Sequence, residues 1–313
     1  MIGRRGLVST LLSTPLMVAP PADVGRVSYL STTVAVGGAS VPLCVWLPPG
    51  FQSSAATSEP TYNYRIDVGR IAQRLGVVWL GWLPAFDTPI SRVLDSPEKP
   101  RRAPGCGLIF AHGFLGSPFD FAHVCERLAA AGFVVGAPEL PDSISASYDP
   151  APDTSRASIC DAARARLAED FGVTRWGVLG HSMGAGTATS LPGSYALGRA
   201  ALCGYRAYEG SDPLLVVASR GDGVIPFERI EETLRAQAGR NVQTLALTEP
   251  NHVSFLWTET NDAMLRVLSP FLPLARLLGI SLLDFDRYAR SRDAEETARD
   301  VVPALEQFFT DRV

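Results

Sequence analysis

Gly180-His181-Ser182-Met183-Gly184 is the stretch of this 313-residue chain whose residue types and spacing speak most directly of chemistry. It follows an apolar run, Trp176–Gly180, and opens a helix-like one, Met183–Ser190. A Gly-x-Ser-x-Gly set between strand and helix makes a sharp turn that strains the serine backbone and lifts its hydroxyl above the sheet. Positions two before and two after the serine crowd together, a need that Gly180 and Gly184 meet. A serine hydroxyl is a weak nucleophile unless a neighbouring base takes its proton. On such a turn an acid and then a histidine follow in chain order, and His252 is the one histidine after Ser182. It lies in Glu249-Pro250-Asn251-His252-Val253-Ser254, a loop after the last strand candidate, from which a side chain reaches the carboxyl edge of a sheet.

The acid is read as Asp222, in Ser219-Arg220-Gly221-Asp222-Gly223, just beyond the apolar run Leu214–Ser219. From there a carboxylate can accept the other ring N–H of His252, hold its tautomer and stabilise the imidazolium. Asp212 precedes that run and so belongs to the opposite edge, while Glu228, Glu231 and Glu232 read as solvated helix positions. Two backbone N–H donors must then face the charge that develops in a tetrahedral intermediate. Met183 supplies one, and Phe114, in His112-Gly113-Phe114-Leu115-Gly116 after the run Gly107–Ala111, supplies the other. His112 and His181 read as supports of these loops, and His123 as a structural helix residue.

The elements that must hold these groups alternate along the chain. Val27–Val36 and Val41–Leu47 read as strands around Gly37-Gly38-Ala39, and residues 48–65, rich in Pro, Ser and Thr, as a loop. Asp67–Leu75 has helical spacing, and Asp95–Pro104 is a charged, proline-marked loop. Gly107–Ala111, Phe133–Ala137, Trp176–Gly180, Ala200–Cys203, Leu214–Ser219 and Val242–Leu247 are short apolar runs typical of strands buried on both faces. Between them Pro118–Ala131, Asp153–Phe171, Met183–Ser190 and Pro226–Ala238 read as helices, as do Asp262–Leu278 and Asp293–Phe309 after them. That alternation predicts right-handed crossovers and a mostly parallel sheet flanked by helices, in one α/β domain over residues 27–313.

Composition narrows the class further. With 46% apolar and 19% charged residues the chain can bury a sizeable core, and a net charge of −4 gives no field that would attract nucleic acid. The five cysteines are odd in number and form no Cys-x-x-Cys, and the four histidines are scattered, so neither a disulfide framework nor a local metal motif is read. Met1–Ala22 carries Arg4 and Arg5, no acidic residue and an apolar stretch, compatible with a signal or plastid transit segment or equally with a frayed terminus. No later run is apolar over the ~18 residues that a membrane span needs.

Taken together, Gly-His-Ser-Met-Gly, the His-Gly-Phe loop, Arg-Gly-Asp and Asn-His resemble an α/β-hydrolase of the serine esterase type, over about residues 27–310. Several stretches are similar to platelet-activating-factor acetylhydrolases: Val45–Pro48, Ala111–Phe114, Ala131–Val135, Ala137–Leu140, Ser143–Tyr148 and Ala275–Phe309. That family and the chlorophyllases place the acid just after the strand that follows the nucleophile helix. Here that spot reads Ala201-Leu202-Cys203-Gly204-Tyr205, without a carboxylate, and the spacing from Ser182 through Asp222 to His252 is closer to cutinase-like enzymes of the dienelactone-hydrolase type.

The resemblance implies a hydrolase without a large lid and without a cofactor or metal, acting on a small-molecule or lipid-like, short-acyl ester. Phe114, Leu115, Tyr205, Phe255 and Trp257 are candidate pocket walls, each of which could equally be core. The apolar stretch Phe255–Leu283 reads as a helix packed on the sheet or as a lipid-facing patch of a peripheral enzyme. An acyltransferase, a chlorophyllase-like esterase and a catalytically silent binding protein of the same fold remain as rival readings.

Overall fold

The structure, a computed structural model, describes residues 25–51, 53–95, 103, 105–237, 241–279 and 289–313. The expectation of a targeting segment in residues 1–26 thus falls, up to residue 24, outside the described residues.

Strands β1 (Ser28–Val36) and β2 (Ala39–Leu47) pair antiparallel around Gly37-Gly38, whose φ of 56° and 81° are what a tight hairpin turn demands. Next come β3 (Thr61–Asp67), α1 (Val68–Arg74) and β4 (Ala85–Ser91); β3 and β4 form a separate two-stranded antiparallel sheet. The regular part follows as β5 (Cys106–Ala111), α2 (Ala122–Ala130), β6 (Val134–Pro138), α3 (Arg156–Phe171), β7 (Arg175–His181), α4 (Met183–Ser190) and β8 (Gly198–Leu202). It ends with β9 (Leu214–Ser219), α5 (Phe227–Ala236), β10 (Val242–Leu247), α6 (Thr258–Leu268), α7 (Leu272–Leu277) and α8 (Ala294–Thr310).

The main sheet has eight strands in the order β1-β2-β6-β5-β7-β8-β9-β10. β2 joins β6 antiparallel, and every pairing from β6 to β10 is parallel. Both faces are covered, which explains the unbroken apolar runs. In β5, Leu108 and Phe110 enter the cluster containing Val124 and Leu128 of α2 and Leu305 and Phe309 of α8, whereas Ile109 and Ala111 enter the one containing Ile159, Ala163 and Leu167 of α3. Each such Leu, Ile or Phe contributes about 1.5–3 kcal/mol on burial. The expected class, a mostly parallel sheet flanked by helices, is the one formed.

Two expectations change. Residues 48–65 are not all loop, because Thr61–Asp67 is a strand whose alternate residues Tyr62, Tyr64 and Ile66 are buried. The predicted helix Asp262–Leu278 is broken, because Pro270 and Pro273 lack an N–H for a continuous ladder; a 3₁₀ turn, Ser269–Phe271, separates α6 from α7. No helix among the described residues is long and apolar enough to cross a membrane.

Candidate active site

Ser182 caps the N-terminus of α4 with φ 58° and ψ −120°, a conformation that strains any residue other than glycine. Its neighbours leave no alternative path. A Cβ on Gly184 would stand 1.9 Å from the Ala111 carbonyl oxygen, and one on Gly180 would stand 2.1 Å from that of Gly184. The Ser182 N–H donates to Leu202 O of β8 at 2.9 Å, so the turn is fixed against the next strand.

His252 opens a short 3₁₀ turn, His252–Phe255, capped by the Asn251 side chain, which accepts from Ser254 N at 3.1 Å. Asn251 N–H in turn donates to Ser291 Oγ at 2.8 Å. Asp222 lies beyond β9, where its Oδ1 accepts from Val224 N and Ile225 N at 2.8 Å each. Its Oδ2 accepts from His252 Nδ1 at 2.8 Å, which leaves Nε2 as the free basic nitrogen. The two loops approach closely because Gly221 has no side chain; a Cβ there would stand 2.7 Å from Glu249 O. Among the described residues no hydrogen bond joins Ser182 Oγ to His252, but the two line one cavity, and apo sites commonly tighten only around substrate.

His181 packs under His252, ring centroids 4.6 Å apart, and its Nε2–H donates to His252 O at 3.2 Å. Burial and the neighbouring His252 push its pKa well below the usual imidazole range, so it is neutral and acts as a support. Cys203 occupies the end of β8, with φ 50°. His181, Cys203 and His252 have potential metal-ligand atoms within 4.8 Å of one another, but one nitrogen of each ring already has a protein partner. All five cysteines are buried and outside any disulfide.

Of the two expected donors, Phe114 lines the cavity with Ser182, and Met183 is the first residue of α4. Neither N–H has a protein acceptor among the described residues. What holds their loops is a residue the sequence reading did not single out. Ser155 caps α3 and so sets Arg156 at its first position. The Arg156 guanidinium donates to both Asp142 oxygens, at 2.5 and 2.7 Å, to Thr187 Oγ1 at 2.8 Å, and to His112 O. Asp142 O accepts from Leu115 N at 3.0 Å. The His112 ring braces the same loop, donating from Nδ1 to Gly113 O and accepting at Nε2 from Leu140 N, both at 2.9 Å. Burial and the Arg156 charge lower its pKa to about 4, which rules it out as a competing cation near neutral pH.

The cavity holds about 180 Å³. Ser182, His181 and His252 lie on its wall with Gly113, Phe114 and Leu115, and much of the remainder is apolar, including Ile71 of α1, Ile144, Val224, Val253, Leu256, and Met264 and Leu268 of α6. Of the candidate walls, Phe114 and Leu115 line it, whereas Tyr205, Phe255 and Trp257 do not. The Tyr205 hydroxyl donates to Gln237 at the end of α5. Phe255 is buried against the His181 ring at 6.0 Å, and Trp257 against Tyr62 at 5.8 Å with the Arg92 guanidinium over it at 5.3 Å. Val253, Leu256, Thr260, Met264 and Leu268 line the cavity instead. Their three- and four-residue spacing is the helical stripe that could have found them. Ile71 and Leu75 of α1 complete the wall, and nothing in the sequence reading had marked them.

Neither a protein-family model nor a curated protein sequence matches this chain. Solved structures do. A ferulic acid esterase from Streptomyces cinnamoneus is similar with a TM-score of 0.54 and 17% identity, over 95% of this chain and 92% of that one. This is the α/β-hydrolase fold. A serine hydrolase without a lid from Xanthomonas campestris (TM-score 0.44, 12% identity, 62% of this chain and 86% of that one) is also similar. So is an esterase from Thermogutta terrifontis (TM-score 0.42, 15% identity, 83% of this chain and 97% of that one).

Proposed function

We propose that this α/β-hydrolase-fold protein hydrolyses carboxylic esters through an acyl-serine intermediate. The reading is carried by one arrangement: the strained Ser182 and His252, with Asp222 at 2.8 Å from Nδ1, opening onto a single apolar cavity. His252 Nε2 takes the Ser182 proton as Oγ attacks the carbonyl carbon. The N–H groups of Phe114 and Met183 receive the oxyanion, each donor worth about 3 kcal/mol in the transition state. The alcohol leaves with the proton from His252, and water, deprotonated by the same nitrogen, releases the acid and restores Ser182.

The buried cavity supports a short- or medium-acyl, largely apolar ester, which accords with an acetylhydrolase-like or cutinase-like role. Contact with a lipid surface has a separate basis. The turn that continues α1 exposes Val78, Trp79 and Trp82, and α7, which continues the α6 wall, exposes Leu277. Exposed tryptophans are suited to the membrane–water interface, and these flank the two helices that wall the cavity.

The test is fluorophosphonate labelling together with initial rates on p-nitrophenyl esters from acetyl to palmitoyl, with Ser182→Ala as the blank. Labelling at Ser182 and Ser182-dependent rates that fall beyond medium acyl lengths are expected. Absence of both would favour the silent binding protein, and faster product formation with an added alcohol would favour acyl transfer.

A further inference from the structure

Asn261 breaks the chemistry of the cavity wall. It is 2% exposed and lines the cavity, yet neither its Oδ1 nor its Nδ2 has a hydrogen-bond partner. A buried amide left unpaired opposes folding, and natural proteins keep few of them. The backbone around it is fully engaged. Asn261 N–H donates to Trp257 O at 3.1 Å, and Trp257 N–H donates to Asp120 O at 2.7 Å. Asp120 O and Asn261 N–H therefore both bond the backbone of Trp257, one at its N–H and the other at its C=O, and Asp120 also lines the cavity. Thr260 offers no alternative donor, since its hydroxyl is spent on Trp257 O at 2.9 Å. The same cavity wall carries Leu115, Ile144, Leu256, Met264 and Leu268.

Asp120 is nearly buried, and its Oδ2 accepts from Ser117 N at 3.0 Å. Burial pushes its carboxyl up to about 7. A substrate carboxylate would be repelled here, and a cation would meet an incompletely charged partner. A neutral group that both donates and accepts suits the pair.

We propose that Asn261 and Asp120 form a specificity subsite for a hydroxyl carried by the buried part of an otherwise apolar ester. The amide Nδ2–H donates to the hydroxyl oxygen, and the Asp120 carboxyl accepts the hydroxyl proton. The proposal rests on the ester-hydrolase reading for its chemistry, and it adds the substrate class: hydroxylated alkyl or aryl esters over their unsubstituted counterparts.

The experiment compares kcat/KM for matched p-nitrophenyl esters of hydroxylated and unsubstituted alkanoic and phenylalkanoic acids, on the full chain and on Asn261→Leu. At the best-fitting length the hydroxylated ester is favoured at least about tenfold by the wild type. Asn261→Leu brings that ratio to one or below, a ratio read within each enzyme and so independent of its absolute rate, and raises Tm because the unpaired amide is gone. No hydroxyl preference at any length, or a preference that survives Asn261→Leu, overturns the subsite. A lower Tm in Asn261→Leu does so too, by assigning the amide to the fold. Thermal shift with the free hydroxy acid against the parent acid separates the two readings. If no ester is cleaved above the Ser182→Ala blank, a shift specific to the hydroxy acid and lost in Asn261→Leu retains the subsite and rejects the hydrolase; no such shift rejects both.

Discussion

Arg156 lies outside the proposed reacting groups, yet the loops of the two proposed oxyanion donors, Phe114 and Met183, are tied together by it. Its guanidinium joins Asp142, His112 O and Thr187, that is, the loops after β5 and β6 and the helix that begins at Met183. Replacing it by Met keeps the stem but strands an Asp142 carboxylate whose side chain is only 13% exposed. Breaking a buried pair in this way costs about 3 kcal/mol. At about 2 °C per kcal/mol for a domain of this size, Arg156→Met melts about 6 °C below wild type. Loosening the Phe114 loop removes one donor from alignment, which lowers kcat up to about 100-fold. KM stays near wild type because the α1 and α6 walls are untouched. The double variant Arg156→Met/Asp142→Leu removes the stranded charge, so it recovers most of the lost Tm while kcat stays low. The assay is kcat, KM and Tm on the best p-nitrophenyl ester. Wild-type kcat in the single variant, well below its Tm, would refute the positioning role. Recovery of kcat in step with Tm in the double variant would show that Arg156 matters for stability alone.

The raised Asp120 carboxyl gives a signed pH dependence. Its ordinary value is 3.8 and burial takes it to about 7, so between these limits the folded chain holds a proton that the unfolded chain has released. Stability is therefore lost as pH rises through that window and is level above it. The Tm of Asp120→Asn relative to wild type should climb from about pH 4 to about pH 7 and then stop; a pH-independent difference would show that the carboxyl is not raised. At the surface, Trp79 and Trp82 are 62% and 74% exposed. Trp79→Ser/Trp82→Ser should abolish co-sedimentation with phosphatidylcholine vesicles while rates on soluble short esters persist, and undiminished co-sedimentation would remove the lipid-contact proposal.

What the sequence made legible was whatever backbone crowding dictates. Gly180 and Gly184 flank Ser182 because a methyl group at either would strike a carbonyl oxygen, and such a constraint leaves a readable mark on residue types. The sheet was legible for a related reason, since strands buried on both faces must be apolar throughout. Side-chain direction was harder. Phe255 and Trp257 are as apolar as Val253 and Leu256, so composition does not separate the pair that lines the cavity from the pair buried beside it; the spacing that continues from Val253 and Leu256 to Thr260, Met264 and Leu268 does. Arg156 was invisible because its partners lie 14, 31 and 44 residues away and no local pattern encodes them. Asn261 lies just before the helix expected over Asp262–Leu278 and carries no local signal; only burial without a partner sets it apart.

Part of the cavity wall belongs to other stretches of the chain than the candidate catalytic groups at its base. Ser182, Asp222 and the proposed donor loops sit on turns at the ends of β5, β7 and β9, where carbonyl oxygens forbid a side chain at Gly180, Gly184 and Gly221. That part of the wall comes from Ile71 of α1, carried between the strands of the small sheet, and from Thr260, Asn261, Met264 and Leu268 of α6, beyond the last strand of the large one. Mutations that resize or repolarise the wall therefore carry no obligatory penalty at the nucleophile. Under natural selection or in a directed-evolution library, substrate preference can diverge in α1 and α6 while the reaction itself is inherited unchanged.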